Sequence, residues 1–179
     1  MAKPKVATDW LAGCSGCHMS FLDVDEKLIE LLQKVELTSS PLTDLKVPPE
    51  SGIDVGVLEG AINSDDNAHV AKRMRERCKI LVAIGDCAVF GGIVGMRNFW
   101  PTDEALKRAY EDSDTTVDGK RPDSPDIMHP IKARAVGDVV RVDVYLPGCP
   151  PPAEMIHYVL SELAEGRIPK LDAEKLTYD

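Results

Sequence analysis

Cys14 and Cys17 form a C-x-x-C step within Gly13-Cys14-Ser15-Gly16-Cys17-His18, while Cys87 follows Gly85-Asp86 and Cys149 stands between Pro147-Gly148 and Pro150. A thiolate is both a nucleophile and a soft metal ligand, so this set points to metal ligation or to thiol–disulfide chemistry. Taken alone, the C-x-x-C pair reads as a thioredoxin-type redox motif, but that leaves Cys87 and Cys149 unexplained. Four thiolates converging on one point suit a structural zinc ion or an iron–sulfur cluster. Spacing separates these two only weakly: zinc ribbons usually pair two C-x-x-C hairpins, whereas here one pair is joined by two singletons beside glycine or proline. Glycine next to a ligand lets backbone approach the sulfurs and donate N–H bonds, a lever on cluster potential, and this favours the cluster.

Elements that could bring these cysteines together are visible in the apolar pattern. A strand is expected over 5–11, and after the cysteine turn Phe21, Leu22, Leu28, Ile29, Leu32 and Val35 recur at helical spacing. Residues 38–51 read as a connection, with a short strand near 36–39, before a buried-type strand over 53–58. Asn63 or Ser64 can cap a helix whose first turn holds Asp65 and Asp66 and whose last turn holds Arg73, Arg75 and Arg77, complementing the helix dipole. The helix ends near Cys78, and the continuous apolar run over 79–84 reads as a central strand covered on both faces. Residues 90–136 read as an irregular insertion with one short helix at 103–110, followed by a last strand over 139–146 and a last helix over 150–166. Strands alternating with helices imply an α/β fold, a flavodoxin-like doubly wound parallel sheet, with residues 1–179 forming a single domain.

In such a sheet ligands bind at the carboxyl ends of the strands. Cys14 and Cys17 follow the first strand, Cys87 the central one and Cys149 the last, so all four share one edge. Cys78 sits where a helix ends and a strand begins, at the opposite edge, and reads as an inert buried thiol.

Other polar residues are weighed against plainer roles. Glu59 ends a strand at the same edge, where a carboxylate could relay protons or accept backbone N–H bonds; the second role is favoured. His18 could donate to a cluster sulfur but is more often a capping or partner-contact residue at such a place. His69 and His157 read as surface or packing residues, and Pro150, Pro151 and Pro152 as helix initiation that positions Cys149.

Composition narrows the classes further. With 179 residues, 44% hydrophobic and 28% charged, the chain is globular in type, and its net charge of −9 offers no basic patch for nucleic acid. The longest apolar stretch, 80–96, is broken by Asp86 and several glycines, and the first residues lack an apolar core or twin arginine. An odd count of five cysteines without an export signal argues against a disulfide framework. These features lead us to expect a cytoplasmic protein without membrane or nucleic-acid partners. The G-x-G-x-x-G fingerprint is absent, so nicotinamide chemistry would belong to another subunit. Flavodoxin-like sheets bind FMN at the strand ends, but no Ser/Thr-rich phosphate loop is visible and the Cys14–Cys17 turn stands in its place, which makes flavin a secondary expectation.

The motifs "CSGC", "VLEGAI", "GDCAVFGG" and "YLPGCPPPAEM", in this order and spanning most of the chain, resemble the small subunit of nickel–iron hydrogenases. The stretches "GGIVGMRNFW" and "HPIKARAVGDVVRVDVYLPGC" look most like the soluble, NAD-reducing, bidirectional group. The resemblance implies that Cys14, Cys17, Cys87 and Cys149 hold the proximal 4Fe-4S cluster. It also implies a nickel–iron large subunit and diaphorase subunits carrying flavin, NAD and further iron–sulfur clusters as partners. The cluster-bearing subunit of complex I, a quinone-linked module, is the alternative; it shares the last two motifs but begins with adjacent cysteines. Two departures stand out. The cysteine- and histidine-rich extensions of membrane-bound relatives are missing, which implies a single cluster, and Gly13 occupies a place where many relatives carry a glutamate implicated in proton movement. No nickel ligands are expected here, because Cys78 alone cannot supply them. The glycine-rich segment after Cys87 would leave Ile93, Val94, Met96, Phe99 and Trp100 exposed unless a partner covers them, with Arg97 as a candidate anchor.

Overall fold

In the computed structural model, which describes residues 3–172 and 176, five parallel strands lie in the order β2-β1-β3-β5-β7. They are β1 Lys5–Trp10, β2 Glu36–Ser39, β3 Ile53–Glu59, β5 Cys78–Ile84 and β7 Val144–Leu146. Counting only these five, the order is 2-1-3-4-5, the flavodoxin-like arrangement expected from the alternating pattern. Along β5 the side chains alternate between two cores: Val82 and Ile84 pack with Val55, Val57, Leu146, Ile156 and Val159 on one face, while Leu81 and Ala83 pack with Leu58, Ala71 and Met74 on the other. This two-sided burial is why the central strands read as unbroken apolar runs.

The helices cover both faces. The first holds α1 Gly16–Leu22, α2 Glu26–Lys34 and α7 Ala153–Ala164, and the second holds α3 Asp65–Arg77. Ser64 caps α3 by accepting the Asn67 N–H at 3.1 Å, as the sequence suggested. Where the apolar spacing suggested one helix after the cysteine turn, the chain breaks into α1 and α2 at Asp23-Val24-Asp25. Val24 is buried there and Asp25 takes a left-handed φ of 57°.

The insertion is more ordered than its sequence implied. After α4 Gly85–Phe90 come α5 Gly92–Gly95, a 3-10 turn at Met96–Phe99 and α6 Thr102–Tyr110, and β6 Pro130–Arg134 pairs antiparallel with a three-residue β4, Ile62–Ser64. The last strand is shorter than its apolar run. Val139, Val140 and Val142 pack against the α3-side core without pairing, and only Val144–Leu146 joins β5.

Candidate metal centre

Each of the four cysteines at issue follows the carboxyl end of a strand. Beyond β1, an Ala12–Ala61 bridge carries the chain to Gly13 and Cys14; Ser15, with a left-handed φ of 66°, then turns it into α1, whose second residue is Cys17. Beyond β5, α4 begins at once with Gly85-Asp86-Cys87, and beyond β7 lies Pro147-Gly148-Cys149. Cys78 begins β5, at the other edge, buried against Gly56 and Met74.

The four thiols influence one another. Burial pushes the Cys17 thiol strongly up, and the negative charges of Glu59, Cys14, Cys87 and Cys149 add to it in that order. The Cys87 thiol is also raised, first by burial; N–H bonds from Ile93 and Val94 pull the other way, while Cys149 and Cys14 push it up. Thiols held up in this way, as Cys17 and Cys87 are, favour the protonated form until a strong positive centre compensates, which is what metal binding does to cysteine.

Glycines leave room over the sulfurs. A Cβ on Gly85 would collide with the Cys17 sulfur, one on Gly92 would lie 2.9 Å from the Cys87 sulfur, and one on Gly16 3.1 Å from the Cys14 sulfur. Gly85 and Gly92 also hold left-handed φ values of 84° and 46°. This bare cradle, the backbone donors on Cys87 and an all-thiol donor set together fit an iron–sulfur cluster. Among the described residues, no three His, Cys, Asp or Glu side chains gather as the ligands of a single metal ion. Thiolates bound to separate irons of a cluster stand farther apart than those sharing one ion.

Behind the C-x-x-C turn lies a buried polar chain. Glu59 Oε1 accepts the Cys17 N–H at 3.2 Å and Oε2 accepts the His18 N–H at 2.9 Å, so a strand carboxylate caps α1, whose Ser15 makes no side-chain cap. His18 Nδ1 also bonds Glu59, and its Nε2 lies 3.0 Å from Thr8 Oγ1, which donates to Ser40 Oγ at 2.9 Å. Burial pulls the Glu59 carboxyl up, but the His18 ring and the two N–H groups outweigh it and hold the acid below its ordinary range. His18 is therefore an internal partner of Glu59, buried to 4% exposure, and does not present itself to a partner protein as its position in sequence suggested.

Cys87 and Cys149 are tied together at the backbone. Asp86 donates its N–H to the Gly148 carbonyl at 2.9 Å, and Asp86 Oδ1 accepts the Gly148 N–H at 2.7 Å. Nothing in the sequence marks this tie except the Asp-Cys and Gly-Cys neighbours themselves. His69 is exposed, His157 lies 3.4 Å from Ser161 on α7, and His129 donates its N–H to Asp65 Oδ1 while its carbonyl accepts the Asp65 N–H; none of the three joins the cysteine edge.

Beside this edge the segment after Cys87 exposes Phe90, Ile93, Met96, Phe99 and Trp100, with Val94 half-buried. Arg97 bonds the Ile131 carbonyl, and Asn98 exchanges two bonds with Ala133 at 2.8 and 2.9 Å. The segment is thus pinned to β6 by its polar side chains while its apolar ones face outward.

Residues 14–163 match the family described as NADH ubiquinone oxidoreductase, 20 Kd subunit. The chain is 42% identical, over 99% of its length and 86% of the relative's, to the NAD-reducing hydrogenase HoxS subunit delta of Cupriavidus necator. Over 97% of its length it is 39% identical to a subunit of the F420-non-reducing hydrogenase of Methanothermobacter marburgensis, of which it spans 58%. Among solved structures, a chain of an NAD+-reducing [NiFe]-hydrogenase in the H2-reduced state superposes with a TM-score of 0.93 at 38% identity, covering 99% of this chain and 100% of that one.

Proposed function

The chain belongs to the NADH ubiquinone oxidoreductase 20 kDa subunit family, as a small subunit of the NAD-reducing nickel–iron hydrogenase kind, and from that premise we propose that Cys14, Cys17, Cys87 and Cys149 hold one 4Fe-4S cluster. When bound, such a cluster supplies one-electron transfer. In the assembly it is the proximal cluster, next to the nickel–iron site of a large subunit, and it connects that site to a diaphorase module with flavin, NAD and further iron–sulfur clusters. The whole chain acts as one iron–sulfur domain, contributes no nickel ligand and works in the cytoplasm.

The observation that supports this reading is that four thiols from three separate strand ends share one sheet edge, near enough to influence one another, with glycines against the sulfurs of Cys14, Cys17 and Cys87. The protein's own residues prepare the site. Glu59 caps the helix that presents Cys17, the Ile93 and Val94 N–H groups stabilise negative charge on Cys87, and Asp86 joins the segments of Cys87 and Cys149. The relatives matched by sequence and structure are hydrogenase subunits, which weighs against the quinone-linked alternative.

Anaerobic co-purification tests the assignment. A soluble complex containing nickel and turning over hydrogen with NAD is expected. A complex of membrane subunits without nickel would contradict the proposal.

A further inference from the structure

Gly148 N–H is a buried backbone donor next to Cys149, and its partner is a side chain: Asp86 Oδ1, 2.7 Å away. Gly148 has a φ of 138°, and a Cβ there would approach Pro151 Cα to 2.5 Å, so the loop is held in a conformation open only to glycine. The return bond, from Asp86 N–H to the Gly148 carbonyl at 2.9 Å, closes a reciprocal pair between the residues that precede Cys87 and Cys149.

Resting on the reading that the four thiols hold a cluster, we propose that Asp86 is a positioning residue. Its side-chain oxygen sets the Cys149 segment against the Cys87 segment and withholds the Gly148 N–H from the cluster's sulfurs, which keeps the reduction potential low. A buried donor does not stay unpaired. Freed from Asp86, this donor stands one residue from Cys149 without its side-chain partner, and in the proposal it turns to a thiolate or sulfide of the loaded site. An N–H bond to such a sulfur favours the reduced, more negative cluster and raises the potential.

The carboxylate's charge would act in the same direction, so the test separates charge from position. Asp86→Asn keeps an acceptor oxygen at this place and removes the charge; Asp86→Ala removes both; Asp86→Ser keeps an oxygen that lacks the reach and serves as a milder variant should Asp86→Ala not fold. Each is purified anaerobically in its complex. Iron and sulfide are assayed first, then the midpoint potential and electron paramagnetic resonance line shape of this cluster are recorded. Asp86→Asn is expected to keep the wild-type potential and line shape, while Asp86→Ala and Asp86→Ser shift the potential upward and alter the line shape. Wild-type potentials in the alanine and serine variants would overturn the proposal, as would equal shifts in all three, which would assign the effect to charge alone. Wild-type protein without iron and sulfide would instead overturn the cluster reading beneath it.

Discussion

At Gly85 a single methyl group decides whether the site can form, because a Cβ there would run into the Cys17 sulfur and the backbone holds a φ of 84°. Gly95, ten residues on, has helical backbone and open space around its missing side chain. Gly85→Ala should therefore lose most of its iron and sulfide while keeping its far-ultraviolet circular dichroism, and Gly95→Ala should retain both. A fully loaded Gly85→Ala would show that the Cys17 sulfur does not need this space. At this scale the sequence was legible where the residue type itself carries the chemistry. The four cysteines, the bystander Cys78 and the strand-end Glu59 were all placed at their edges by reading strands and helices alone. The His18–Glu59 pair and the Asp86–Gly148 tie were not, because each depends on how closely two distant segments approach, about 40 and 60 residues apart in the chain.

At the scale of elements, the strands and helices of the main sheet are readable because burial on both faces imposes near-continuous apolar runs, Val55–Leu58 in β3 and Ile80–Ile84 in β5. The β4–β6 ribbon escaped notice because three residues of strand carry too little periodicity to stand out, and Pro130 opens β6. Val139–Val142 looked like strand because apolar residues pack equally well without pairing. Pairing resumes only where Asp143 fastens the chain to β5. Its N–H donates to the Leu81 carbonyl at 2.9 Å, and its carboxylate accepts the Leu81 N–H at 2.9 Å and pairs with Arg75, which also bonds the Cys78 and Lys79 carbonyls. Burial pulls the Asp143 carboxyl up, but the Leu81 N–H and Arg75 outweigh it and hold the acid below its ordinary range. Asp143→Ala should cost about 1–3 kcal/mol in urea unfolding at neutral pH, since it strands the Leu81 N–H and removes the carboxylate partner of Arg75. A carboxyl depressed in the folded state contributes fully above its unfolded pKa, and the contribution fades as pH falls through the folded value. The gap between wild type and variant should therefore hold above about pH 4 and narrow below it. A gap independent of pH would mean that the charge contributes nothing.

At the scale of the whole molecule, Cys87 and the apolar patch of Phe90, Ile93, Met96, Phe99 and Trp100 both follow strand β5, and the described residues leave this patch and the Cys14 and Cys149 thiols exposed. Arg97 and Asn98 fold this segment back onto β6, while its large apolar side chains point away from the core. The proposed large subunit is the partner that would cover them. In the co-purification experiment, Phe99→Ala combined with Trp100→Ala should weaken association at least tenfold without loss of the cluster, whereas Arg97→Ala should act mainly through loosening of β6. Undiminished association of the double variant would move the interface elsewhere. The central claim, that Cys14, Cys17, Cys87 and Cys149 form a cluster site and Cys78 does not, is most directly tested by metal and sulfide analysis of anaerobically purified wild-type and Cys78→Ala chains. Both should be brown and carry about four irons and four acid-labile sulfides per chain; stoichiometric zinc without sulfide, or a Cys78→Ala chain without its cluster, would contradict it.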